Sequence, residues 1–128
     1  MRTTKKIRLK SRDISEKLFD DGWRTDETYV SSWFEPCPET SCVYILLHTN
    51  VDCLSDDFGK ERVLYVGQTI NLVNRLRNHE TRKLIRKNNL YERAWFKPCE
   101  KHNLMETEKQ LIKKYDPSYN LVHRNRGI

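Results

Sequence analysis

The run Cys42-Val43-Tyr44-Ile45-Leu46-Leu47 is the strongest constraint on how this chain folds. It is continuously apolar and has the length of a strand rather than a helix, so it predicts a strand covered on both faces. Such a strand needs a layer of structure on each side. A polar loop from Thr49 to Lys60, containing Gly59, follows it. Arg62 to Val66 then reads as a second strand, stopped by Gly67, and a hairpin with a long loop is the natural connection.

The rest of the chain supplies the layers. Asn71 to about Asn78 reads as a helix whose Leu72 and Leu76 form an apolar stripe. Arg75 and His79 are four apart and are expected to share a face beside that stripe. The basic segment from Arg82 to Asn89, with Leu84 and Ile85, either continues this helix or starts another. Tyr91 to Lys97 reads as a third strand, ended by Pro98. Asn103 with Glu106 three residues on predicts a capping box at the start of a last helix. That helix runs to about Tyr115, and Pro117 forbids much further extension. Upstream, Ser11 or Asp13 is expected to cap a short helix carrying Ile14, Leu18 and Phe19 and closed by Gly22. Thr28 to Phe34 reads as an edge strand or an extended segment, ended by Pro36 and Pro38.

From residue 42 the order is β-β-α-β-α. The expected fold class is therefore α/β, with a small three-stranded, mainly antiparallel sheet flanked by helices. Residues 1–40 form an N-terminal extension (basic arm, short helix, extended segment), and residues 41–128 form the main domain. A chain of 128 residues has room for one modest core. The 37% hydrophobic and 33% charged content suits a soluble domain rather than a disordered one. The net charge of +6 favours a polyanionic partner. Arg2, Lys5, Lys6, Arg8, Lys10 and Arg12 make the first twelve residues either a phosphate-binding arm or a solvated terminus. No apolar run approaches a membrane span, and MRTTKKIRLK leads into no signal-peptide core, so a cytoplasmic chain is expected. Cys37, Cys42, Cys53 and Cys99 form no CxxC pair and read as reduced thiols.

One acid stands out. At 100° per residue, Leu104, Leu111, Ile112 and Tyr115 fall in one stripe of the last helix, and Glu108 lies inside it. A carboxylate there needs a metal, a cation such as Arg75, or a place at the stripe's rim. Tyr44 and Tyr65 taken singly read as strand packing. His79 taken singly reads as a surface or capping residue, and Asn120 as a turn residue after Pro117.

Their joint order says more. Cys42-Val43-Tyr44, then Tyr65-Val66-Gly67, then Gln68-Thr69, Asn71-Leu72, Arg75-Leu76 and His79 resemble the strand-turn-helix signature of the GIY-YIG nuclease family. Cys42 stands where that family usually has Gly. The stretch from Glu108 to Asn120 is similar to the end of the same domain in UvrC excision proteins and phage homing endonucleases. The resemblance covers roughly residues 41–122.

It implies a metal-dependent endonuclease that hydrolyses DNA phosphodiesters. Glu108 would hold one divalent ion, Mg²⁺ or alternatively Mn²⁺, and Arg75 would bind the phosphate. Tyr44 would be the base, positioned by Tyr65, with His79 accepting or relaying the proton. Asn120 would orient the network or the Glu108 carboxylate, and Gly67 would be structural. The chemistry of the side chains alone leaves Tyr44 and His79 open as the base. Arg77, Arg82, Lys83, Arg86 and Lys87 are the expected DNA contacts, with Arg93 near them and Arg124 and Arg126 at the C-terminus. Trp95 and Phe96 are further candidates for stacking on bases. The alternative is a GIY-YIG-fold module that binds nucleic acid without cutting it; an interaction adaptor is a third reading. No second domain for target reading is visible, so targeting falls to residues 1–40, to loops, or to a partner protein. Nicking by a monomer and double-strand cutting by a dimer are both compatible with the sequence.

Overall fold

The covered strand is the axis of the fold. The computed structural model describes residues 13–25 and 40–120. In chain order these form α1 (Asp13–Asp20), β1 (Arg24–Thr25), β2 (Cys42–Thr49), β3 (Glu61–Thr69), α2 (Leu72–Arg77), α3 (Glu80–Lys87), β4 (Glu92–Pro98) and α4 (Leu104–Tyr115). A 3₁₀ turn, Lys101–Asn103, leads into α4. The sheet order is β1-β4-β2-β3, and every pairing is antiparallel. Among the described residues the sheet thus has four strands rather than the expected three. Its extra member, β1, is two residues long and pairs Arg24 with Phe96 and Thr25 with Trp95. The expected strand at Thr28–Phe34, Ser11, the basic arm, and Arg124 and Arg126 all lie outside the described residues.

Alternation along β2 divides the core. Val43, Ile45 and Leu47 pack with Leu18, Trp23, Val63, Trp95 and Leu104, which brings α1 and α4 onto one face. Cys42, Tyr44 and Leu46 pack with Leu72, Ile85 and Phe96, which brings α2 and α3 onto the other. The continuous apolar run in β2 is the sequence trace of this double cover. A bulge interrupts the pairing with β3: Leu46 faces Tyr65, but Leu47 faces Val63. Leu64 is the additional residue, and Leu64 and Tyr65 join the same cluster. The bulge thereby puts Tyr65 on the face that already carries Tyr44.

Residues 13–25 belong to this core. Glu61 Oε1, at the start of β3, accepts from Ile14 N at 3.1 Å and Ser15 N at 3.0 Å. A distant carboxylate thus satisfies two of the free N–H groups at the start of α1, where it also suits the helix dipole. Gly22 (φ 93°) ends α1 as the sequence predicts. Gly22 N donates to Phe19 O and Trp23 N to Leu18 O, the paired bonds of a Schellman turn.

Two local expectations change. Asn103 makes no side-chain cap bond; it already has helical dihedrals (φ −102°, ψ −7°) because the chain enters through the 3₁₀ turn. The capping box therefore does not form, and Glu106 instead accepts from Gln110 at 3.3 Å. β3 also runs past Gly67 to Thr69, so this glycine is an interior strand residue and not a stop.

Candidate active site

Gly67 explains itself through its neighbour across the sheet. It pairs with Tyr44. A Cβ at position 67 would sit 2.5 Å from Tyr44 Oη and 2.8 Å from Cε1, and would also strike Cζ. The bare backbone is what lets the Tyr44 ring lie across β3.

Several groups converge on the Tyr44 hydroxyl. His79 Nε2 is 2.7 Å from it. Arg75 Nε donates to it at 3.1 Å. The Tyr65 ring lies alongside, its centroid 6.1 Å from that of Tyr44, and the Arg75 charge acts on both phenols. The His79 ring stands edge-on to both tyrosines, with centroids 5.6 Å from Tyr44 and 4.8 Å from Tyr65. Tyr44, Tyr65 and His79 are buried, while Arg75 is partly open to solvent.

The electrostatics run against an easily ionised phenol. Burial pushes the Tyr44 hydroxyl well above its ordinary range, and Tyr65 adds to this; Arg75 pulls it back only in part. Tyr65 is raised as well, first by burial, with the Arg75 charge opposing and Glu108 adding to the rise. Burial pulls the Arg75 guanidinium down, but the two tyrosines outweigh it and hold it above its usual value. Arg75 alone does not bring Tyr44 toward neutrality.

His79 is not on the helix of Arg75. α2 stops at Arg77, and His79 is the N-cap of α3. Its Nδ1 accepts from Arg82 N at 3.1 Å. The chain turns between the two helices, and that turn rather than a shared helical face brings His79 to Tyr44. The expected basic helix is therefore a second, separate one.

α3 also redistributes the expected DNA contacts. Arg82 Nε binds Glu92 Oε2 at 3.0 Å and Arg86 Nε binds Oε1 at 2.7 Å. Glu92 is buried at the start of β4, so both arginines are engaged in neutralising it. Arg77, Lys83 and Lys87 are exposed, and Arg86 keeps much of its side chain in solvent. Trp95 and Phe96 are buried in the core on opposite faces of β4, so neither is open to stack on a base. Arg93 is half-buried beside Tyr91.

Glu108 sits on α4, half-buried, as the stripe argument requires. Gln68 Nε2 donates to its Oε1 at 3.4 Å, and its charge is felt by Tyr65. Among the described residues there is no group of three or more His, Cys, Asp or Glu placed to hold a metal. A lone carboxylate suits a hard ion such as Mg²⁺, which keeps several waters and takes few protein ligands.

Asn120 is buried, and its amide grips the main chain of β3. Oδ1 accepts from Val66 N at 2.7 Å and Nδ2 donates to Val66 O at 2.8 Å. It holds the residue next to Tyr65, where the resemblance implied that it would orient the network or the Glu108 carboxylate. Glu92 was missed by sequence reasoning. The available signal was the Arg82/Arg86 pair, four apart on one helix face, followed by an acid at a strand start. Gln68 was read only as part of a motif.

Among the described residues no helix is long and apolar enough to cross a membrane. A search of curated proteins returned no match. Among solved structures, the chain is similar to the GIY-YIG N-terminal endonuclease domain of UvrC from Thermotoga maritima, which is bound to its catalytic divalent cation, magnesium. The identity is 28%, covering 66% of this chain and 86% of that one, with a TM-score of 0.47. The family model of the GIY-YIG catalytic domain matches residues 40–120, a span that holds the buried tyrosine pair, Arg75, His79, Glu108 and Asn120. With that match over most of its length, the chain belongs to the GIY-YIG family.

Proposed function

We propose that this chain is a divalent-metal-dependent endonuclease that hydrolyses phosphodiester bonds in DNA. The observation that carries the reading is the convergence of Arg75 and His79 on the buried Tyr44 hydroxyl, with the Tyr65 ring 6.1 Å from that of Tyr44 and the Glu108 charge acting on Tyr65. A purely structural tyrosine has no need of a guanidinium and an imidazole at one oxygen.

Each residue then has a part. Arg75, partly exposed, presents the guanidinium face not used by Tyr44 to a phosphate and stabilises charge there. Glu108 would hold the metal, a hard divalent ion that takes few protein ligands. When bound, a divalent ion such as Mg²⁺ supplies charge neutralisation at the scissile phosphate. Tyr44 and Tyr65 form the water-side pair, and Asn120 keeps β3 in place beneath them. Arg77, Lys83 and Lys87 offer an exposed basic face for the DNA backbone, with Arg86 contributing from its solvent-facing part.

The test is plasmid cleavage with Mg²⁺, with and without EDTA, for wild type, Glu108→Gln and Arg75→Ala. Expected is metal-dependent cutting by wild type and a loss of at least about 10²-fold in each variant with unchanged circular dichroism. Wild-type cutting by either variant across a Mg²⁺ titration overturns the assignment. Wild-type binding to DNA in a gel shift without cleavage favours the non-cutting module instead.

A further inference from the structure

His79 has two ring nitrogens in defined company, and this fixes where its proton lies. Nδ1 faces the backbone N–H of Arg82 at 3.1 Å, and Nε2 faces Tyr44 Oη at 2.7 Å. A backbone N–H can only donate, so Nδ1 must be the bare, accepting nitrogen. A proton on Nδ1 would set one N–H against another and leave a helix-start donor unsatisfied in a buried place. The neutral ring therefore carries its hydrogen on Nε2.

The position of that backbone N–H is itself held. Arg82 lies in the first turn of α3, and its guanidinium is tied to Glu92 on β4 at 3.0 Å. Glu92 is almost wholly buried, and the Arg82 side chain is only 14% exposed, so the tie is sheltered from competing water. The pair anchors the start of α3 to the sheet at the residue that caps onto His79.

Resting on the nuclease reading above, we infer that Glu92 and Arg82 are positioning residues that lock His79 as the Nε2–H tautomer, so that His79 donates to Tyr44 Oη and does not accept its proton. Tyr44 Oη then receives hydrogens from both His79 Nε2 and Arg75 Nε. With His79 Nε2 and Arg75 Nε both donating to it, the Tyr44 oxygen keeps its own hydrogen pointed away from those two groups. His79 stabilises negative charge on Tyr44 by donation, and a proton leaving Tyr44 departs to water and not to the imidazole.

The test reads the tautomer directly. Uniformly ¹⁵N-labelled full-length protein at neutral pH gives two-bond ¹H–¹⁵N correlations for each imidazole, and His79→Asn identifies the His79 signals by their loss. Expected is a pyridine-type Nδ1 and a pyrrole-type Nε2. A protonated Nδ1, alone or in an imidazolium, overturns the inference with no variant needed. Glu92→Gln, checked for folding by its melting curve, is expected to give a tautomer mixture and a roughly 10- to 100-fold lower single-turnover rate. An unchanged tautomer in Glu92→Gln overturns the role of the Glu92–Arg82 pair. A His79 locked as stated in a wild-type chain that cuts no DNA supports the inference and overturns the nuclease reading, so the two fail separately.

Discussion

Gly67→Ala is the substitution whose effect the structure fixes most sharply. The added methyl would lie 2.5 Å from Tyr44 Oη and 2.8 Å from Cε1. Ordinary contact is about 3.5–4.0 Å, so something must move by roughly 1 Å. The Tyr44 ring is buried and its hydroxyl is held by His79 and Arg75. The β3 backbone is held at the preceding residue, Val66, by Asn120. Forcing a methyl into such a place costs about 1–3 kcal/mol, of which alanine's smaller entropy loss recovers about 0.5–1. The net loss of stability is then on the order of 1 kcal/mol and at most about 2.5 kcal/mol, which a folded domain survives. Activity suffers more, because a shift of about 1 Å in a reacting group costs on the order of 10²-fold in rate. Urea unfolding and single-turnover DNA cleavage measure the two effects. In a Tyr44→Leu background the same methyl meets no ring, and its stability cost should drop below about 0.5 kcal/mol. An equal cost in both backgrounds, or wild-type cleavage by Gly67→Ala, refutes the reasoning.

Two further outcomes follow from the same residues. Asn120→Ala strands both Val66 N–H and C=O in a buried place and should cost about 2–4 kcal/mol in urea unfolding, whereas a change within about 0.5 kcal/mol refutes the clamp. The raised Tyr44 and Tyr65 keep their protons in the folded state above the pH where the unfolded phenols, near about 10, lose theirs. The unfolded chain then binds fewer protons, so stability is fully present below about pH 10 and falls as pH rises beyond it. Absorbance at about 295 nm with circular dichroism should show the two phenols ionising only as the chain unfolds, and Tyr44→Phe should lessen the alkaline loss.

What the sequence disclosed, and what it hid, follow from the range of the interactions. The double cover of β2 was legible because burial on both faces leaves an unbroken apolar run. Glu108 was legible because helical geometry alone places it within a stripe. The tyrosine pair came from motif order, but its shared face depends on the bulge at Leu64, which no periodicity reveals. Arg75 and His79 are four apart, a spacing that suits one helix, and the structure satisfies their meeting through a break between two. Glu92, Asn120 and the Glu61 cap act across the fold on backbone or on residues distant in sequence, where local pattern has no hold. Trp95 and Phe96 stood as candidates for stacking on bases because a strand's alternation does not tell which faces are covered when both are.

The cap that Glu61 places on α1 separates two things that are easily equated. The stretch recognised as the family begins at residue 40, yet Leu18 and Trp23 are 1% and 5% exposed in the core, and β1 covers part of the outer side of β4. A fragment trimmed to residues 40–120 would keep every side chain of the proposed chemistry. It would also bare the Trp95 face, leave the Glu61 carboxylate without the helix it serves, and open β4 to pairing with other chains. For this protein, the stretch that can be recognised as the family is shorter than the core it packs into.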